Sequence, residues 1–215
     1  MLDPWKFRPR QYPHFDHVVS TRQEADSIIT KFRETGRHSF LPFLEEPCSN
    51  RRFSVYLKNQ KSRENGQEVP DDTINKNRPI KYASHVDAQI FSFYRHVLSQ
   101  KYEEYLCREN LTEFPIAYRK IPVEQGLAKG KCNIHFAKEA FDEIVRRREC
   151  VALTYDIKGF FESLDHAFLK EKWIEIMQYD ALPDDHQAVF KAMTDYRFVD
   201  KDACYETLGL FEWTG

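Results

Sequence analysis

Val151-Ala152-Leu153-Thr154-Tyr155-Asp156-Ile157-Lys158-Gly159-Phe160-Phe161-Glu162-Ser163-Leu164-Asp165-His166 is the stretch on which the reading of this chain turns. Residues 151–155 form a compact apolar run that stops abruptly at Asp156, the pattern of a buried strand presenting a carboxylate at its C-terminal end. Gly159 then supplies a turn, two phenylalanines follow, and residues 165–177 show helical spacing, with Phe168, Leu169, Trp173 and Ile176 on the inward face. A bare Asp-x-x-x-Phe pattern would be accounted for by an Asp capping a turn and phenylalanines filling a core.

Ser20 and Gln23 have capping-box spacing, Ala25, Ile28, Ile29 and Phe32 recur at helical intervals, and Gly36 closes the segment, so a first helix is expected. Residues 37–52, with Pro42 and Pro47, read as irregular. Strands are expected at 53–57 and 78–83, and with Asn65-Gly66 as a turn between them they predict a long β-hairpin with a polar, partly mobile tip. Ser84 is placed to cap a long helix with Asp87 in its first turn and Val86, Ile90, Phe93, Tyr94, Val97, Leu98 and Tyr105 buried. A strand at 116–121, a loop at 126–131 and a helix at 133–148 with Ala137, Phe141, Ile144 and Val145 inward follow. Residues 183–196 predict a last helix with Pro183 at its first position.

The 215 residues are 41% hydrophobic and 14% aromatic, enough to fill a core. No run of eighteen apolar residues exists, and the first residues are too charged and aromatic for a signal peptide, so a cytoplasmic protein with no membrane partner is expected. Cys48, Cys107, Cys132, Cys150 and Cys204 are odd in number and widely spaced, which suits reduced thiols rather than disulfides or zinc. The net charge of −2 hides an asymmetry: residues 51–81 hold 8 basic against 4 acidic side chains, 115–150 hold 8 against 5, and 151–215 hold 6 against 13. For any single charge run a solvated face is the commoner explanation.

Three segments together resemble one family. The stretch from Asp156 through Phe160-Phe161 to Asp165-His166 resembles the first palm motif of bacterial reverse transcriptases, in which Asp-Ile is followed closely by Phe-Phe, an acidic residue and an Asp-His pair. Asn77-Arg78-Pro79-Ile80-Lys81-Tyr82-Ala83, followed by a helix with Asp87 and Ile90, is similar to their fingers motif Arg-Pro-Ile. Ala117-Tyr118-Arg119-Lys120, followed by Gly130-Lys131-Cys132-Asn133 and Phe136-Ala137, looks like their second fingers motif. The motifs occur in the family's order, cover about residues 51–177, and resemble the defence-associated and abortive-infection groups more than intron maturases.

The resemblance implies an α+β right-hand polymerase, helix-rich. Residues 1–50 would be an N-terminal helical extension, 51–150 the fingers, and 151–215 the beginning of an RRM-like, mainly antiparallel palm. It implies RNA-directed DNA synthesis by a nucleotidyltransferase using two Mg²⁺ ions, in antiphage defence, with an RNA template, DNA product, dNTPs and a dedicated non-coding RNA as partners. The basic and acidic segments fit that chemistry, since cations hold phosphates and carboxylates hold hard metals. Asp156 would be the catalytic metal ligand and the carbonyl of Ile157 would complete its shell. Phe161 occupies the sugar-gate position, where a ring clashes with a ribose 2′-hydroxyl; Phe160 is expected in the core. Arg78 and Lys81 are candidates for the triphosphate, Lys131 and Asn133 for the template backbone, with ordinary surface charge as the competing reading of each.

The family's aromatic-x-Asp-Asp hairpin and Gln-Gly motif do not occur. The Asp-Asp pairs are Asp71-Asp72, in the expected hairpin loop, and Asp184-Asp185, 28 residues after Asp156, which reads as an acidic helix N-terminus. The expectation is therefore a piece of a longer or split enzyme, binding metal weakly and inactive alone. A non-catalytic nucleic-acid-binding or assembly module and an untemplated DNA polymerase are the competing functions. The stretch from Gly126 to Cys132 falls one residue short of a P-loop and ends in Cys where Ser or Thr is needed, and His14-x-x-His17 lacks further zinc ligands. Arg146-Arg147-Arg148 is expected to end a helix, where the macrodipole favours cations, with RNA contact as the second reading.

Overall fold

Residues 4–51, 75–124, 129–157 and 159–210 are described by the computed structural model. Over them the chain is mixed α+β and helix-rich, with six α-helices and one three-stranded sheet. It divides into two units, Met1–Arg95 with Ala181–Gly215, and His96–Asp180. The expected strand at 53–57, the Asn65-Gly66 turn, Asp71-Asp72 and residues 126–128 lie outside the described residues.

In the first unit, helix α1 spans Arg22–Thr35. Its cap is Thr21, not Ser20: the Thr21 hydroxyl accepts from the Glu24 amide at 3.2 Å, and the Glu24 carboxylate accepts from the Ser20 amide at 3.1 Å. The capping box lies one residue beyond the expected Ser20 and Gln23, because Ser-Thr offers two hydroxyls in a row. Gly36 ends the helix at φ 61°, and a Cβ there would come within 2.7 Å of the Asp184 Cβ, so both backbone conformation and close approach require glycine.

Strands β1 (Phe43–Arg51) and β2 (Asn75–Tyr82) pair antiparallel with Leu44 opposite Tyr82 and Pro47 opposite Pro79. The two strands pair, but β1 lies in the segment expected to be irregular, and the residues between β1 and β2 lie outside the described ones. Proline is tolerated at an edge, and the third strand, β3 (Phe198–Asp200), pairs in parallel with Phe43, Leu44 and Glu45 only, ending before Pro47. The sheet order is β2-β1-β3.

Helix α2 runs His85–Arg108 and crosses from the first unit into the second. Its N-terminus is capped twice. The Ser84 hydroxyl accepts from the Asp87 amide at 3.0 Å, and the Asp16 carboxylate accepts from the amides of His85 (3.0 Å) and Val86 (3.1 Å). Asp87 is itself buried, pairing with His38 at 2.5 Å and accepting from the Leu41 amide at 3.0 Å, so it ties the 38–41 segment to the helix. Helix α5 (Asp184–Thr194) starts with Pro183 just before it and two acidic residues in its first turn, and Tyr94 donates its hydroxyl proton to Asp185. Trp5, Val19, Ala25 and Ile29 form a buried cluster, and Phe32, Ile90, Tyr94 and Val189 are also buried. Helix α6 (Lys201–Thr207), capped by Asp200, and β3 were not foreseen from the sequence.

The second unit contains the C-terminal part of α2, helix α3 (Asn133–Arg147), a 3-10 turn (Phe160–Ser163) and helix α4 (His166–Met177). Leu106, Trp173 and Met177 are buried. Four expectations fail here. Residues 116–121 form a turn rather than a strand, because Tyr118 adopts φ 60° and interrupts extended backbone, leaving one bridge, Pro122 with Gly130. Residues 151–155 are exposed and unpaired in any described sheet: an apolar run supplies strand propensity, but a strand exists only where another backbone completes its ladder. Helix α3 buries none of its residues, and Phe141 is 68% exposed. On α4, Trp173 is buried as expected while Phe168 and Leu169 are exposed.

Candidate functional site

Within His96–Asp180 the geometry around Asp156 starts from an exposed segment. The side chains of Val151, Leu153, Tyr155 and Ile157 face solvent, and Asp156 is exposed with them. The chain then reverses at Gly159, φ 65° and ψ 31°, a conformation that glycine adopts without strain. A single 3-10 turn follows, closed by the Ser163 amide donating to the Gly159 carbonyl at 3.1 Å and the Ser163 hydroxyl donating to the Phe160 carbonyl at 3.0 Å. Asp165 caps α4 by accepting from the amides of Ala167 (2.8 Å) and Phe168 (3.0 Å), so this second acid of the motif has a structural role.

This turn displays both phenylalanines. Phe161 is 66% exposed and Phe160 46%, so Phe160 is not the core residue expected; one 3-10 turn beside an unpaired segment gives it no interior to enter. Their rings meet edge-on at 5.3 Å. Phe161 also meets the ring of Tyr118 at 6.2 Å and 73°. The palm-like and second fingers-like motifs are thus joined by an aromatic contact that the sequence reading did not anticipate.

The loop carrying Tyr118 is fastened by Arg119. Its guanidinium donates to both oxygens of Glu103 (2.8 and 2.7 Å) and to the carbonyls of Thr112 (2.7 Å) and Pro115 (2.5 Å). The hydrogen bonds that Glu103 accepts from it raise its pKa further, and the side chain is buried. Lys131 is engaged too: it pairs with Glu139 at 2.5 Å, and its ammonium lies 5.7 Å from the centre of the Phe136 ring. Asn133 is the exposed first residue of α3. At the other end of α3, Arg146 and Arg147 both bond Glu143 (2.7 and 2.6 Å) and hold its carboxyl down at about 2, which agrees with a structural placement for the arginine run.

Arg78 and Lys81 belong to the other unit. Both are on β2, and Lys81 pairs with Glu45 and sits 4.6 Å from the centre of the Phe198 ring and 5.8 Å from that of Tyr196. It therefore fastens β2 and the β3 region to β1, which any role toward a phosphate must share.

Among the described residues, no three His, Cys, Asp or Glu side chains converge as a metal site. Asp156 with the carbonyl of Ile157 offers one carboxylate and one carbonyl. Mg²⁺ completes its octahedron with substrate and water, but two ions need more carboxylate than this. The described residues do not fit a two-metal centre. No helix among them is long and apolar enough to cross a membrane. No protein-family model matches the chain, and no curated protein matches it.

Proposed function

We propose that this chain supplies the fingers, the opening of the palm and the first catalytic carboxylate of an RNA-directed DNA polymerase of the bacterial reverse transcriptase type, acting in antiphage defence. The observation carrying this reading is the contact between Tyr118 and Phe161, which brings two motifs distant in sequence to one place, beside the segment that begins at Asp156. A scattered coincidence of motifs gives no reason for such a meeting. The αL turn at Gly159 supports the same reading, since it carries the chain back and leaves the Phe161 ring accessible to a ligand. In this reading Phe161 faces the sugar of a deoxynucleotide and Asp156 is a carboxylate that would bind a divalent cation, with Lys131 and Asn133 toward the template; Arg78 and Lys81 are the triphosphate candidates of the other unit.

The test is RNA-templated dNTP incorporation by the full-length protein and its Asp156→Asn variant. The substitution removes charge at nearly constant shape. Because Asp156 is exposed and no described residue bonds its carboxylate, the fold should tolerate the change. Activity should fall by orders of magnitude, roughly tenfold for each 1.4 kcal/mol of lost transition-state stabilisation. Retained polymerisation by the folded variant would overturn the assignment.

A further inference from the structure

Tyr118 combines strain with exposure. Its φ of 60° is a region that bulky side chains rarely occupy, and its ring is 90% exposed, so no burial compensates. The backbone is held in place by the four hydrogen bonds of the neighbouring Arg119, none of which involves the tyrosine side chain. Glycine or asparagine would suit the turn better. What tyrosine adds is a ring, and that ring stands edge to face against Phe161.

Phe161 needs such a neighbour if it is to select a sugar. An exposed phenylalanine exchanges rotamers in picoseconds to nanoseconds, and a ring that swings aside excludes nothing. Phe160 also touches it, but Phe160 is adjacent in the chain and rides on the same 3-10 turn. Tyr118 comes from a loop fixed independently through Arg119 and Glu103, and so can hold Phe161 against a separate frame.

We propose that Tyr118 is a positioning residue for sugar selection, bracing Phe161 so that its ring stays where a ribose 2′-hydroxyl must collide with it. The proposal rests on the reading of Phe161 as the residue that excludes ribonucleotides. It locates discrimination in a pair of rings from two motifs rather than in one side chain. The tyrosine hydroxyl has no part in it.

The experiment compares kcat/KM for a dNTP and the matching rNTP on a primed RNA template, using the full-length protein and its Tyr118→Phe, Tyr118→Ala, Tyr118→Asn and Phe161→Ala variants. Tyr118→Phe keeps the ring and should keep the wild-type ratio. Tyr118→Ala and Tyr118→Asn should lower the ratio roughly two- to tenfold, the factor an edge-to-face pair is worth, mainly through a lower KM for the rNTP. Tyr118→Asn separates bracing from folding, because asparagine tolerates the left-handed backbone and should melt no lower than the wild type. Relaxed selection in Phe161→Ala with wild-type ratios in both ring-less Tyr118 variants would overturn the brace and leave the gate standing. An unchanged ratio in Phe161→Ala, or no templated dNTP incorporation by the wild type, removes the gate and the brace with it.

Discussion

Helices α1 and α3 have 14 and 15 residues and both carry an apolar stripe, yet their fates differ. Helix α1 buries Ala25, Ile29 and Phe32; Phe32 meets the rings of Phe40 and Tyr94 at 5.9 and 5.8 Å. Helix α3 buries nothing and leaves Ile134, Phe141 and Val145 in solvent. Periodicity reports that a segment can bury one face as a helix. It does not report whether a surface exists to receive that face. In the first unit, Trp5 and Val19 pack with Ala25 and Ile29 in the receiving core; around α3 no described element does so.

Truncating one aromatic ring on each helix separates the two cases. Phe32→Ala should destabilise the first unit by about 3–5 kcal/mol, because a buried ring leaves both lost transfer energy and a cavity. Phe141→Ala should lie within about 0.5 kcal/mol of wild type, since the ring is exposed and alanine is the better helix former. Denaturant unfolding of the two variants checks this. A loss of several kcal/mol at Phe141 would mean that α3 is covered in the protein as tested.

The same contrast governs what could be read in advance. Helices were legible wherever caps and periodicity agreed: the ends at Gly36, Ser84, Asp165 and Pro183 were each anticipated to within a residue or so, because these are local decisions of the backbone. Strands were legible only in part. Residues 151–155 have strand composition and no ladder among the described residues, while Phe43–Arg51, containing Pro47, pairs along its length with β2 and, past the end of β3, leaves an edge where its proline is harmless. Pairing is a property of two segments, and one segment's composition cannot state it. At the candidate site, the turn at Gly159 was legible from its residue type. The Tyr118 contact was not, because nothing in a sequence announces a positive φ at tyrosine or the Arg119 network that holds it. The ion pair of Lys81 with Glu45 likewise depends on register.

A second, smaller effect should appear at Asp16, which anchors the N-terminal segment to α2. Burial opposes its charge, but amides of His85 and Val86 and the His85 ring at 2.7 Å outweigh that and hold its carboxyl below the ordinary value of 3.8. His14 Nδ1 also approaches it at 3.0 Å. With the folded-state pKa depressed, this stabilisation is present above pH 3.8 and is lost as pH falls through the folded value. Asp16→Ala should cost about 2–3 kcal/mol at neutral pH, the loss of a charged cap to a helix terminus, and should flatten the acid limb of the stability curve. An acid limb unchanged by the substitution would show that the segment is anchored otherwise.

In the second unit the corresponding fastener is Arg119. Arg119→Lys keeps the charge but cannot reproduce two parallel bonds to Glu103 together with two to backbone carbonyls. It should cost about 1–2 kcal/mol. Amide exchange should quicken across residues 112–119 more than in α4. Uniform quickening across the unit would instead indicate that Arg119 supports the whole fold.

The smallest effect tests whether the first unit's core extends to α5. His186 is buried there, its ring 4.8 Å from that of Tyr94 and at 88° to it. Burial pushes its pKa below the ordinary 6.5; the Asp185 charge works against that shift and the Arg33 charge adds to it. With the folded-state value depressed, the unfolded chain takes up the proton first. The stability should therefore be flat with respect to this group above about pH 6.5, and should decline as pH falls below it until the folded value is reached. The slope from one such group is at most about 1.4 kcal/mol per pH unit. The chain has seven other histidines, so the informative quantity is the difference between wild type and His186→Gln in urea unfolding at pH 7.5 and pH 5.5. The variant should be less stable at pH 7.5, where it introduces a longer polar side chain into a packed ring contact, and the gap should narrow at pH 5.5 as the wild type loses its advantage. A gap that widened on acidification would mean that His186 is held charged by Asp185, and that this part of α5 is more open to water than the core around Phe32.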